Sequence, residues 1–328
     1  MHSLTLGEIA RITGGQLHGD ADIVISSVST DSRNLSKGSL FGAIVGQRSD
    51  GHDFVEQAMM SGAVAVLGTR IVDAPCVVLS TQSQSDGSHI DRVITALGAL
   101  ATHERSLLTK VNVIGITGSS GKTTTKDIIG QVLATYSSTC APAGSPNNEL
   151  GLPQTILDAP PNTANLVLEM GMRGFGHIKY LCQIAQPNIA VVTNVGTAHI
   201  GEVGSIEGIA LAKSEIVESL PETGLAILNA DDHRVRAMAT KTQARSILYG
   251  TADDADIRAT DIVVDDDGLL SFTAHADSQT VHVNLPLIGM HNVLNALAAI
   301  AVGLHVGMSL SQCADALGQI ELKSKWRM

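Results

Sequence analysis

Between Gly115 and Asp127 the chain reads GITGSSGKTTTKD, in which Lys122 and three consecutive threonines follow the glycines at 118 and 121. Glycines let successive backbone N–H groups turn inward, and a lysine ammonium is a compact point charge, so the stretch suits an anion with several oxygens. The run VNVI before it is apolar and strand-like, and a helix after it would add its N-terminal partial charge. The pattern is Gly118-x-x-Gly121-Lys122-Thr123-Thr124, with Ser119 and Ser120 between the glycines. It departs from GxxxxGK[ST], because Ile116 stands where the first glycine belongs. In this arrangement Lys122 reaches terminal phosphates and Thr123 offers a hydroxyl to Mg²⁺. The bland alternative is a glycine-rich turn that caps a helix; the strand before and the helix after weigh against it.

Other polar residues are placed where chemistry is possible but not compelled. Glu169 ends the apolar run ANLVLEM, where a carboxylate is either a hard oxygen ligand for Mg²⁺ or a solvated strand-end acid. His199 closes VVTNVGTAH, yet it is one of twelve histidines, most of which serve structure. Lys213 sits within GIALAKSEIVESL, and Ile209, Ala210, Ile216 and Val217 are its helical neighbours. A lysine laid along an apolar surface is the usual explanation. His291 and Asn295 share a helix face, and Asn292 lies beside them; amides near a helix start also act as caps. Asn229, Asp231 and Asp232 in LNADD follow a strand and equally suit the start of the next helix. An Asp-Ser-Arg turn such as that at 31–33 is ordinary loop chemistry by itself.

Composition removes several classes. A net charge of −11, with no basic run, disfavours a nucleic-acid partner, and 2% aromatic content leaves no stacking platform for single strands. Cys76, Cys140, Cys182 and Cys313 are scattered, so neither a zinc site nor a disulfide framework is expected. The N-terminus lacks the pattern of a signal peptide, and VLNALAAIAVGL is too short to span a bilayer. A cytoplasmic monomer without membrane insertion is expected.

The elements that must hold these residues alternate along the chain. Over the first 85 residues short helices and strands interleave, with strands at ADIVISSVST, SLFGAIVG, AVAVLG and CVVLS and helices at LGEIARITGG and HDFVEQAMMSGA. The polar stretch STQSQSDGS reads as a linker. Beyond it, strands are expected at 111–116, 165–168, 189–193, 226–228 and 246–249, with helices at 122–135, 148–157, 176–185 and 207–220. Their apolar strands argue for a parallel sheet covered by helices on both faces. Residues 256–287 read as antiparallel strands, the first two joined at DDDG, and two helices follow. The fold class is α/β.

The loop TGSSGKTTTK resembles the ATP loop of the Mur ligases, enzymes that extend the peptide of the bacterial cell-wall precursor. TDSR at 30–33 with GSLFGAIVGQRSDGHDF is similar to that family's uridine-nucleotide domain. GSPNNELGLPQTIL, LEMGMRGFGHI, TNVGTAHIGEVGSIEGIALAKSEI, LNADD and GMHNVLNALAA follow in the family's order. The resemblance covers essentially the whole chain. It implies a uridine-nucleotide domain at 1–85, a P-loop ATP-binding domain at 86–315, and a junction at 316–328 toward a Rossmann-like C-terminal domain that these residues do not include. Family members continue for about 130 residues, the size of an ordinary domain.

The resemblance also assigns roles. It implies ATP and two Mg²⁺ ions, with Lys122, Glu169, His199 and Lys213 catalytic. Thr123, Glu169, His199 and Lys213, the last as a carbamate, would hold metal. Gly118 through Thr124, His291, Asn292, Asn295 and Arg327 would bind ATP, although Trp326 stands where the family has glycine. Thr30, Ser32, Arg33, Ser49, Asp50, Gly51 and His52 would face the uridine diphosphate, and Asn147 and Asn148 the sugar-peptide. Ser119-Ser120 in the loop and Ala198 before His199 depart from the branch that adds the third residue. EMGMRGFGHI is similar to the branch joining D-alanyl-D-alanine to UDP-N-acetylmuramoyl-tripeptide through an acyl phosphate. The alternatives are the third-residue ligase, a folylpolyglutamate synthetase, which the uridine motif disfavours, and a non-catalytic module holding ATP and the UDP precursor.

Overall fold

A computed structural model describes residues 1–80, 91–198 and 200–321. By packing, the chain divides into two compact units: Met1–Thr109 with Glu149–Pro161, and Lys110–Asn148 with the chain from Asn162 onward. The boundary expected at residue 85 falls within 81–90, outside the described residues.

The first unit opens with β1 (Leu4–Thr5) and α1 (Leu6–Thr13). Thr5 and Glu8 form a reciprocal capping box at its start, and Gly14, in the left-handed region at φ 68°, ends it. Then come β2 (Gln16–His18), β3 (Val24–Ile25), β4 (Ser27–Ser29), β5 (Ser39–Gly42), α2 (Val55–Ser61), β6 (Ala63–Gly68), β7 (Cys76–Val78) and α3 (Arg92–Leu107). Five strands form a sheet in the order β2-β7-β6-β5-β4, parallel except where β2 joins β7. The stretch ADIVISSVST, expected as one strand, is two. Its first half pairs with β1 and its second with β5, because Ser26 turns aside to donate its N–H to Gly38 O.

β8 (Asn112–Thr117), α4 (Lys122–Ala134) and β9 (Thr139–Cys140) begin the second unit, and α5 (Gly151–Asp158) belongs to the first. There α5 packs on α3 and β4, with Gln154 donating to Val28 O at 2.8 Å. Helix is expected from residue 148, yet α5 starts at Gly151.

The second unit continues through β10 (Asn165–Glu169), α6 (His177–Ala185), β11 (Ile189–Val192), α7 (Ile200–Val203), α8 (Ile206–Glu218) and β12 (Leu225–Asn229). Then follow α9 (His233–Ala237), β13 (Arg245–Gly250), β14 (Ile257–Val264), β15 (Leu269–Ala276), β16 (Gln279–Ile288), α10 (His291–His305) and α11 (Leu310–Leu317). One nine-stranded sheet runs β16-β15-β14-β13-β12-β11-β8-β10-β9. It is parallel from β9 to β14 and antiparallel across β14, β15 and β16, as the change of pattern after residue 256 predicts. Every residue of β10, β11 and β12 is buried, which requires cover on both faces, whereas β15 alternates. After β8 the chain passes to β9 and β10 on one side and then to β11 on the other. The carboxyl ends of β8, β10 and β11 therefore bound the crevice where open α/β sheets bind ligands.

Tyr249, 1% exposed, donates its phenol to Val192 O at 3.2 Å. Tyr249→Phe should cost about 1 kcal/mol, the net worth of one hydrogen bond, as a lower urea midpoint with unchanged slope. An unchanged midpoint would mean that the bond adds nothing to the sheet.

Candidate active site

At the end of β8 the chain leaves the sheet through the glycine loop. A Cβ at Gly118 would lie 1.8 Å from the Thr193 hydroxyl, so no other residue fits there. Gly121, in the left-handed region at φ 78°, is the N-cap of α4, and a Cβ on it would approach Asn295 Oδ1 to 3.2 Å. Thr125 N–H is bonded to Gly121 O, leaving the earlier amides of α4 without an intrahelical acceptor, the usual basis of anion binding at a helix start. Lys122 folds back to donate to Gly118 O at 2.8 Å, which holds its ammonium over the loop.

Glu169 ends β10 beside this loop and is 1% exposed. Thr123 donates to its Oε2 at 2.8 Å, and Ser145 and Asn147 both donate to its Oε1 at 2.8 Å. Gly171 N–H is bonded to Asn147 O, closing the 141–148 loop against the strand's continuation. The solvated strand-end reading of Glu169 fails on this burial. Sequence reasoning missed Ser145, which lies in an irregular loop and carries no periodic signal. Lys126, fully buried one turn after Thr123 and paired with Asp127 on the same helix, ties the same loop to α4 by donating to Pro142 O.

Lys213, on α8, is also 1% exposed, which rules out the reading of a lysine with its head in water. Burial, and then the charge of Lys122, push its ammonium down to about 7. Among the described residues, no three His, Cys, Asp or Glu side chains converge to hold a metal. The oxygen donors present, Thr123 and Glu169, suit Mg²⁺, which takes few protein ligands and completes its shell with phosphate and water. His199 and Arg327 lie outside the described residues.

The remaining expected residues divide. Asn292 and Asn295 are 3% and 5% exposed; Asn295 accepts from Thr125 at 3.0 Å and donates to Asn292, which donates to Ile288 O. They lock α10 to α4, while His291 is exposed. In LNADD, Asn229 donates to Thr193 O, Asp232 accepts from Val195 N–H and caps α9, and Asp231 accepts from Thr251 and Ala252. Asn148 stays in the loop before α5.

In the first unit, Thr30, Ser32, Arg33, Ser49 and Gly51 line one cavity of 470 Å³. Arg33 makes a two-point pair with Asp31, whose carboxyl it holds down at about 2. Asp50 and His52, expected beside them, are not among its lining residues. His52 Nε2 accepts from Thr69 N–H at 2.9 Å, so Nδ1 carries the proton and donates to Asp50 at 2.6 Å. Both ring nitrogens are engaged within the protein.

Residues 116–303 match the Mur ligase middle domain, and residues 24–105 match the Mur ligase family, catalytic domain. UDP-N-acetylmuramoyl-tripeptide–D-alanyl-D-alanine ligase of Mycobacterium bovis is 42% identical over 100% of this chain and 68% of its own length. The Escherichia coli protein of the same name is 36% identical over 98% and 69%. A crystal structure of MurF from Acinetobacter baumannii superposes with a TM-score of 0.87 at 32% identity, covering 98% of this chain and 69% of that one. A Thermotoga maritima MurF structure in complex with ADP superposes at 0.77 and 29% identity, covering 90% and 66%.

A buried lysine whose folded value lies below the unfolded one penalises folding fully below pH 7, and the penalty fades as pH rises toward 10.5. In CO₂-free buffer, Lys213→Met should therefore be more stable than the parent at pH 6, by a few kcal/mol. It should also lack the parent's gain in stability between pH 7 and 10. Parallel urea curves for the two proteins at both pH values would contradict the assignment.

Proposed function

The chain belongs to the Mur ligase family, and on that premise we propose that it is an ATP-dependent carbon–nitrogen ligase of peptidoglycan precursor synthesis. Its substrates are UDP-N-acetylmuramoyl-tripeptide and D-alanyl-D-alanine, the pair named for the relatives at 42% and 36% identity. The observation that carries the reading is the glycine loop with Lys122 and Thr123 against the buried carboxylate of Glu169. That combination is what phosphoryl transfer asks for: donors and a cation fixed around phosphate, beside an anchor for a hard cation.

In the reaction the ATP γ-phosphoryl group passes to the terminal carboxylate of the tripeptide, giving ADP and an acyl phosphate. The dipeptide amine attacks the acyl carbon, phosphate leaves with the C–O bond, and the nitrogen loses a proton as the amide forms. Lys122 offsets charge as two anions approach, and the amides at the start of α4 orient the phosphates. Thr123 and Glu169 would hold Mg²⁺, which when bound would supply positive charge against the transferring phosphates. Glu169 is kept in place by Thr123, Ser145 and Asn147. Lys213, with its value near 7, has neutral amine whose nitrogen could add to CO₂ and release a proton to solvent, and the resulting carbamate would be an anionic oxygen donor toward a second ion. The cavity lined by Thr30, Ser32, Arg33 and Ser49 receives the uridine diphosphate, with Arg33 exchanging Asp31 for phosphate.

Thermal-shift titration should give its largest stabilisation with UDP-tripeptide, less with the UDP-dipeptide and none with folate, each with and without Mg-ATP. A shift with folate alone would assign the chain to another branch of the superfamily. Lys122→Ala should weaken ATP binding by about tenfold or more, at the strength of charge-assisted contacts to phosphate, with no change in melting temperature. Unchanged affinity in calorimetry would remove the phosphate-loop assignment.

A further inference from the structure

The glycine loop is held by a segment that none of the assigned roles covers. Beyond the end of β11, Thr193 N–H is bonded to Thr117 O, and Ser119 N–H to Asn194 O at 3.0 Å, so the parallel pairing of β8 and β11 runs on into the loop. There the backbones part, and the Asn194 side chain takes over. Its Oδ1 accepts from Ser120 N–H at 3.0 Å and from the Ser120 hydroxyl at 3.3 Å, while its Nδ2 donates to Ser120 O at 3.1 Å. A carboxamide offers the same acceptor–donor pair as a peptide unit, so Asn194 acts as one further rung of the ladder.

Neighbouring bonds hold that rung still. Thr193 donates to Ser120 O at 2.7 Å, and Gly196 N–H donates to Ser119 Oγ at 2.8 Å. Behind them, Asn229 donates to Thr193 O at 2.8 Å and Asp232 accepts from Val195 N–H at 2.8 Å. The LNADD stretch thus braces the 193–196 segment, and that segment braces the loop.

We propose that Asn194 is a positioning residue for nucleotide binding: its carboxamide fixes the Ser120 peptide and so aims the amides of Gly121 and the start of α4 at the phosphates. This rests on the ATP reading of the loop. The geometry demands both halves of the amide. Alanine loses both bonds to the Ser120 peptide; aspartate keeps the shape and the acceptor but loses the donor and sets a negative charge near phosphate.

Two measurements on the full 328-residue chain test it. Without nucleotide, hydrogen–deuterium exchange at Ser120 should quicken about tenfold in Asn194→Ala, with β8 and α4 protected as in the parent. With Mg-ATP, calorimetry should show about tenfold weaker binding in Asn194→Ala and a larger loss, about a hundredfold, in Asn194→Asp. Asn194 is only half-buried, so melting temperatures should stay within a few degrees, and isosteric Asn194→Asp provides the measurement if the alanine variant melts early. Unchanged exchange, ATP affinity within twofold of the parent, or Asn194→Asp binding as the parent does would each overturn the proposal. A parent chain that fails to bind ATP overturns the ligase reading instead, and the exchange measurement still decides the clasp.

Discussion

A carboxylate at 1% exposure must be met by donors, and the arrangement around Glu169 follows from that requirement. Its two oxygens draw Thr123 from α4 and Ser145 and Asn147 from the loop after β9. Removing any of these would strand part of a buried charge, at a cost of about 1–3 kcal/mol, so the start of α4 and the 141–148 loop are fixed together. Lys126 reinforces the same join one helical turn on. The phosphate loop is thus anchored on one side by an electrostatic obligation rather than by apolar packing.

On its other side the loop is anchored by hydrogen-bond geometry. The sheet's pairing continues past Thr117 through Asn194, and the close approach of Thr193 leaves room for nothing larger than glycine at 118. The parallel topology makes both anchors possible. Because β10 and β11 flank β8 from opposite directions, Glu169 and Thr193 arrive at the same end of the same three strands. Flexibility implied by two glycines is removed by their neighbours, and preorganised amides lose little entropy when they meet an anion.

Charge balance adds a further constraint. Lys122 and Lys213 repel each other, and burial depresses the second to about 7, so that neutral amine is present near neutral pH. The same burial makes Lys213 a liability to the fold below pH 7, a cost retained at a position that packing alone would give to an apolar residue.

The local signals in the sequence were sufficient for the fold class, the glycine loop and the switch from parallel to antiparallel strands after residue 256. Periodicity, turn residues and apolar runs are properties of neighbouring positions, and they survive into the structure. The sheet exchange at Ser26 was not legible, since it depends on a partner at Gly38 rather than on the residues around it. Glu169 and Lys213 each allowed two readings, because burial is set by what packs on a residue from distant segments. Ser145, Thr193 and Asn194 fell within motifs shared with the family, yet nothing in their neighbours marked a role for them. They are small polar residues in irregular chain, and their roles exist only because the strand order brings residues 118–120, 145, 169 and 193–196 to one sheet edge. Sequence determined which chemistry is available; tertiary structure decided which groups are desolvated and paired, because both depend on contacts far apart along the chain.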